Sequence, residues 1–358
     1  MLGRIGIVGA GSMGGTLGAY LTRAGHDVTL IDAWPTHVDT MRRDGLTLTA
    51  VNETFTVPVN ALNISDVSGL AEPFDVVFLS VKSYDTVWST HLIAPHLKPN
   101  GCMLPVMNAL NDETVARIVG YPRTVGCVTS ISAGLYEPGK VSRTDPVGSH
   151  AYSVGELHGQ ITPRVRAVVE ALQVIGPSVA TSNIWGARWA KLVWNAMGNA
   201  LYGALGAGPE ELDEPETQQV QRIQVMAGCE AVRVALARGI ALESIRGIAP
   251  EDFANAHCEA DLTVLTERMH ALATARLNPP EGAARVGVPA RPSLLQDVLK
   301  GRRTEVDYLN GRIVAEGEQL GVETPVNRAI ADLMRAVERG EIPPGRANLA
   351  HLQTASLP

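Results

Sequence analysis

Residues 4–15 read RIGIVGAGSMGG. A short β-branched run ends at Val8, glycines follow at positions 9, 11 and 14, and a helical pattern starts near Met13. No other stretch limits the fold so tightly. Gly9 permits a tight turn, Gly11 lets backbone approach a pyrophosphate, and Gly14 lets the helix pack on the strand. The helix start adds amide donors and the positive end of its dipole. Glycine triplets arise by chance in a chain with 35 glycines, and such a turn can exist without a ligand. The strand before it and the helix after it make this one a dinucleotide fingerprint. Gly9, Gly11, Ser12, Met13 and Gly14 are the expected phosphate cradle.

Asp32 closes the second strand, VTLID, at the spacing of about 20 residues expected of a ribose-binding carboxylate. A carboxylate there accepts from the ribose hydroxyls and repels a 2′-phosphate, which favours NAD(H) over NADP(H). The alternative is a solvated strand-end aspartate. Arg42 and Arg43 follow ten residues later and could serve a phosphate, which keeps NADP(H) open.

Downstream, DVVFLSV and CMLPVM read as buried parallel strands, with helices starting near Tyr84 and Asp112. Strands alternating with helices give a doubly wound sheet. LTLTAVNETFTVPV predicts irregular or antiparallel strands, and GCVTSISAGLYEPGKVSRT a strand pair turning at Pro138-Gly139. After about Ser182 helices dominate, over about 185–205, 215–239, 251–276, 293–320 and 325–339. The proline- and glycine-rich piece at 277–292 predicts a loop. The expected class is α/β: a doubly wound N-terminal domain (1–182), a mostly α-helical C-terminal domain (183–345) and a tail (346–358).

At 358 residues two domains are the default, and a net charge of −7 without a basic run argues against nucleic acid. No apolar run approaches the roughly 18–20 residues needed to span a bilayer. Four widely spaced cysteines without a C-x-x-C pair fit a reducing cytoplasm. The histidines, His150, His257 and His270 among them, show no metal-ligand spacing.

The stretch KLVWNAMGN places Lys191, Asn195 and Asn199 four apart on an otherwise apolar helix. Four residues turn through about 400°, so the three share one face. They read as a cleft face, or as a helix whose lysine snorkels and whose amides bridge backbone.

Taken with RPSLLQDVLKGRRTEVDYLNG (291–311) and GVETPVN (321–327), the glycine loop and the lysine helix make the sequence resemble the ketopantoate reductase family. The resemblance covers most of the chain and is weakest over 240–290. It implies a Rossmann domain and a helical domain meeting at a cleft where nicotinamide reduces a 2-keto acid, in a possible homodimer. It implies Lys191 as catalytic lysine, with Glu305 as an acidic active-site residue. It further implies Asn195, Asn199 and Ser293 as substrate contacts, and Lys82 and Asn108 at the cofactor and active site. Three positions depart from the pattern. Ala290 stands for a substrate-contacting asparagine, Ala109 for the glycine after Asn108, and Asp32-Ala33-Trp34 where NADPH-using members carry an arginine.

Hydride reduction of a ketone leaves an alkoxide that needs a proton, and a lysine whose pKa burial lowers can supply it. Asn195 and Asn199 would orient substrate, since amides donate and accept without charge. Glu305 would fix Lys191 or hydrogen-bond the substrate hydroxyl. Ser293 with Gln296, and Thr304 with Asp307, also read as capping boxes, with Glu305 as a first-turn acid. Rival functions are an NAD-dependent dehydrogenase oxidising another hydroxy acid and a non-catalytic dinucleotide sensor. Lys191, Glu305 and Asn108 together argue against the sensor, which needs no proton donor.

Overall fold

A computed structural model describes residues 2–146, 148–277 and 291–352. Among these, the chain divides into two compact units, one running to Ile184 and the other beginning at Trp185. The expected loop at 277–292 and the position of Ala290 fall almost wholly outside the described residues.

The first unit opens with β1 (Ile5–Val8), α1 (Ser12–Arg23), β2 (Val28–Asp32), α2 (Pro35–Asp44), β3 (Leu46–Thr49), β4 (Thr54–Val57) and β5 (Asn60–Asn63). It continues with β6 (Phe74–Leu79), α3 (Thr86–Ile93), β7 (Leu97–Pro105), α4 (Asp112–Val119), β8 (Val125–Thr129), β9 (Ala133–Glu137) and β10 (Lys140–Arg143). Strands β11 (Tyr152–Glu156) and β12 (Ser178–Ala180) flank α5 (Pro163–Leu172). The central sheet is parallel in the order β5-β2-β1-β6-β7. The chain leaves β1 toward β2 on one side and reaches β6 on the other, so the strand order reverses beside β1. Ligands of doubly wound sheets bind at that point, beyond the carboxyl ends of the strands.

Apolar side chains cover both faces of this sheet, which is why its strands read as continuous hydrophobic runs. Ile5, Ile7, Val76 and Phe78 pack with α1 residues on one face; Val8, Val77 and Leu79 pack with Ile93 and Val115 on the other. The LTLT and TFTV runs form the antiparallel β3–β4 pair, and β9 and β10 turn at Pro138-Gly139 as the sequence predicts.

The second unit is helical: α6 (from Ile184 to Leu205), α7 (Glu214–Ala237), α8 (Pro250–Ala254), α9 (Glu259–Leu277), α10 (Ser293–Leu299), α11 (Asn310–Leu320) and α12 (Pro325–Glu338). Two expected helices are broken. The one over 251–276 stops at Ala254 and restarts at Glu259, because the Asp261 carboxylate takes the N–H groups of His257 and Cys258. The one over 293–320 ends at Leu299, before Gly301 with φ +62°, and resumes at Asn310 after a 3₁₀ turn over Val306–Tyr308.

A buried polar knot joins four of these helices. The Glu230 carboxylate on α7 accepts from the N–H groups of Val326 and Asn327 at 2.8 Å each, capping α12 from outside. Burial raises the Glu230 pKa, and those N–H donors work against the rise. Asn327 donates to Ala227 O, and Asn310 donates both to Asn327 and to Ala196 O of α6 at 2.8 Å. The YLNG and TPVN strings thus supply the amides that fix α6 against its neighbours.

Candidate active site

Helix α1 starts immediately after Gly11, with no side-chain cap and no acidic residue in its first turn. Its first N–H groups lack intrahelical partners and carry the positive end of the dipole. A Cβ placed on Gly11 would meet nothing within 4 Å, so open space faces the helix start. Gly9 has φ +89° and packs against Ser80 O, where an added Cβ would lie 2.6 Å away. A Cβ on Gly14 would come within 1.9 Å of Gly9 O. Ser12 receives the Thr16 hydroxyl on its carbonyl at 2.7 Å, and Met13 packs against the sheet core. An open, uncapped, electropositive turn fits a pyrophosphate.

Asp32 ends β2 beside this turn. Its Oδ2 accepts from Ala10 N at 2.7 Å and its Oδ1 from Trp34 N at 2.8 Å. Each oxygen keeps lone-pair capacity for a ribose hydroxyl. Arg42 reaches Ala61 O and Asp66, and Arg43 forms a fork with Asp44.

Lys82 and Asn108 leave the carboxyl ends of neighbouring strands, β6 and β7. Lys82 precedes a 3₁₀ turn over Ser83–Asp85, and both residues are half-buried. The Ser83 hydroxyl and Asn111 Nδ2 both donate to Asn108 O, at 3.4 and 2.7 Å, and Asn111 also donates to Ser83. This mesh draws the two loops together.

Ala109 has φ +68°, in the left-handed region that glycine adopts without cost. The departure from glycine therefore leaves the turn in the left-handed form and loads it with strain. Ala109→Gly is expected to stabilise the protein by about 1 kcal/mol, read as a higher urea midpoint with unchanged slope. An unchanged or lower midpoint would mean the backbone is at ease with its Cβ.

In the helical unit, Lys191, Asn195 and Asn199 lie on the single continuous helix α6. Lys191 and Asn199 are half-buried, and Asn195 is 3% exposed. Asn199 Nδ2 donates to Ser293 Oγ at 2.9 Å across 94 residues of sequence. Two of the expected substrate contacts are thereby joined, and Ser293, as acceptor, keeps its own O–H to give. Among the described residues, Asn195 Nδ2 is buried with no hydrogen-bond partner. A buried donor without a partner costs about 1–3 kcal/mol unless something arrives to accept from it.

Neither capping box forms. Pro292 occupies the cap position of α10, Ser293 is its first residue, and Gln296 Nε2 turns back to Arg291 O. Asp307 is held by Arg335, while Thr304 donates to Glu338 and accepts weakly from Val306 N at 3.4 Å. Glu305 sits 3% exposed at the head of the short 3₁₀ turn, not in the first turn of a helix. Pattern reading failed because each hydroxyl found a partner from a distant helix.

Burial pushes the Cys102 thiol to about 11 and the Cys229 thiol to about 12, so both stay protonated and poorly nucleophilic. Among the described residues no group of three His, Cys, Asp or Glu side chains is placed to hold a metal ion. No described helix is long and apolar enough to cross a membrane.

Three positions of interest were invisible in the sequence. His37, fully buried on α2, contacts the glycine turn, and a lone histidine in PTHVDTMRRD gives no signal of that. The donor pair Asn310 and Asn327 lay inside the quoted strings but carried no hint of its scaffold role.

Residues 5–159 match the family model described as ketopantoate reductase PanE/ApbA, and residues 183–338 match the model of its C-terminal part. The 2-dehydropantoate 2-reductase of Archaeoglobus fulgidus is 27% identical over 340 residues, 94% of this chain and 98% of the relative. The crystal structure of a PanE/ApbA family ketopantoate reductase from Ralstonia eutropha JMP134 is similar at a TM-score of 0.71 and 26% identity, covering 94% of this chain and 99% of the other. D-mandelate dehydrogenase, solved with NADH and anilino(oxo)acetate, is similar in fold, with a TM-score of 0.75 at 24% identity over 94% of this chain and 99% of its own.

Proposed function

Because this chain belongs to the ketopantoate reductase family, we propose that it reduces the carbonyl of a 2-keto acid, ketopantoate or a close analogue, using a nicotinamide dinucleotide. The bound dinucleotide supplies the hydride. Gly9, Gly11, Ser12, Met13 and Gly14 would hold its phosphates and Asp32 its ribose, with Lys82 and Asn108 at its reactive end. Asp32 supports NAD(H) as the preferred form, as does the engagement of Arg42 and Arg43 with Asp66 and Asp44. Trp34 in place of an arginine points the same way.

The observation that carries the substrate reading is the buried Nδ2 of Asn195, without a partner among the described residues and one helical turn from Lys191. It offers a donor to a substrate oxygen. Asn199 orients Ser293, which as an acceptor can give its own O–H to a carboxylate. Lys191 delivers the proton to the carbonyl oxygen as it becomes an alkoxide. Glu305 holds that ammonium in place or binds the new hydroxyl.

The test is loss of reduced-nicotinamide absorbance with ketopantoate and a panel of 2-keto acids, NADH and NADPH being supplied separately. The expected result is turnover that is faster with NADH. Absence of turnover with every keto acid and both cofactors would overturn the reading, and a preference for NADPH would overturn the role of Asp32. An NAD-preferring protein also suits the oxidative direction, so 2-hydroxy acids with NAD⁺ belong in the same panel.

A further inference from the structure

Ala10, between the first two glycines of the turn, is gripped by side chains at both ends. Asp32 takes its N–H at 2.7 Å, and His37 Nε2 lies 2.9 Å from its carbonyl oxygen. The second ring nitrogen settles the tautomer. Gly139 N donates to His37 Nδ1 at 2.8 Å, so Nδ1 is an acceptor and Nε2 carries the hydrogen given to Ala10. His37 is fully buried, and the half-exposed Trp34 ring stacks on it at 5.6 Å between centroids. Trp34 N in turn donates to Asp32, which closes a ring of contacts: Ala10, Asp32, Trp34, His37 and Ala10 again.

From this we infer that His37 is a positioning residue for dinucleotide binding, a role that rests on the functional reading above. A trans peptide is planar, with its C=O and N–H pointing opposite ways. Holding the Ala10 carbonyl therefore also fixes the direction of the Gly11 N–H, and the Asp32 contact fixes the peptide before it. The two planes that precede α1 are set before any ligand arrives. The donors of an anion cradle then need no reordering on binding, and preorganisation of this kind appears as affinity. Gly139 anchors the same imidazole to the β9–β10 turn, 102 residues away, so the cradle is tied to a second sheet.

Glutamine and asparagine separate the two ring nitrogens, because a glutamine amide reaches the Nε2 position and an asparagine amide only the Nδ1 position. His37→Gln retains the hydrogen bond to Ala10 and is expected to bind NADH within about twofold of wild type. His37→Asn retains the link to Gly139 and leaves Ala10 O unpaired. Its NADH dissociation constant and KM are expected to rise about tenfold, with KM for the keto acid unchanged. Equal affinity in wild type and the asparagine variant would overturn the assignment, as would parallel rises in both KM values. If the asparagine variant does not fold, the glutamine variant decides alone, because a tenfold loss there overturns it too. Wild-type protein that binds neither NADH nor NADPH refutes the functional reading instead, so the two failures are distinct.

Discussion

Lys191→Ala is expected to lower turnover by about 10²–10⁴-fold, the usual contribution of a general acid, while NADH affinity stays within about twofold of wild type. Lys191 stands on α6 of the helical unit, whereas the glycine turn and Asp32 belong to the other unit, so the substitution removes none of the residues expected to hold the dinucleotide phosphates and ribose. On the proposed reading, what disappears is a proton source for an oxygen that gains a full charge as hydride arrives. Lys191→Arg sharpens the test. Guanidinium keeps the positive charge but does not release its proton in the working range, so it preserves electrostatic attraction and removes acid chemistry. Turnover rescued by arginine would make position 191 a charge, not an acid. Turnover unchanged in the alanine variant would falsify the assignment altogether. Rapid mixing of enzyme with NADH before keto acid separates binding from chemistry.

The second large effect lies in the glycine turn, where two glycines of one fingerprint are expected to fail in different ways. Gly11→Ala puts a methyl group into open space, with a φ of −61° that alanine accepts. Its thermal stability should change little. On the proposed reading its NADH affinity should fall about 100-fold or more, since the methyl would occupy ground a phosphate needs and each 1.4 kcal/mol of steric conflict is tenfold. Gly14→Ala instead drives a Cβ to within 1.9 Å of Gly9 O. The turn must open, which costs about 1–3 kcal/mol as overpacking does, so melting temperature and NADH affinity fall together. Differential scanning calorimetry beside NADH titration reads both quantities. Gly11→Ala binding NADH as wild type does would show that no phosphate approaches there.

Local sequence carried a good part of this fold because the relevant forces act between near neighbours in the chain. Buried parallel strands announce themselves as short β-branched runs, and the glycine spacing describes a turn completed within ten residues. The register of helix α6 follows from 3.6 residues per turn, which puts Lys191, Asn195 and Asn199 on one face whatever packs around them. The breaks at Asn255 and Gly301 were harder. They depend on a carboxylate at Asp261 choosing backbone partners, and on one glycine adopting φ +62°, both compatible with an unbroken helical pattern.

The capping boxes show the limit most clearly. Ser293 and Thr304 satisfy local rules for capping, yet each hydroxyl is claimed by a side chain from a remote helix, Asn199 and Glu338 respectively. A single hydrogen bond contributes only about 1 kcal/mol, so local and distant partners compete on nearly equal terms.

The sequence alone determined the succession of strands and helices, the glycine turn with its strand-end carboxylate, the polar face of the lysine helix, and the likeness that joins them. Only the tertiary structure decided that Asn199 meets Ser293, that Glu230 caps α12 and that His37 grips Ala10. It also decided that Ala109 bears a glycine's backbone angle. Periodicity and turn geometry are set by covalent neighbours, whereas the partner of a buried polar group is chosen through space, from residues that can lie more than a hundred positions away.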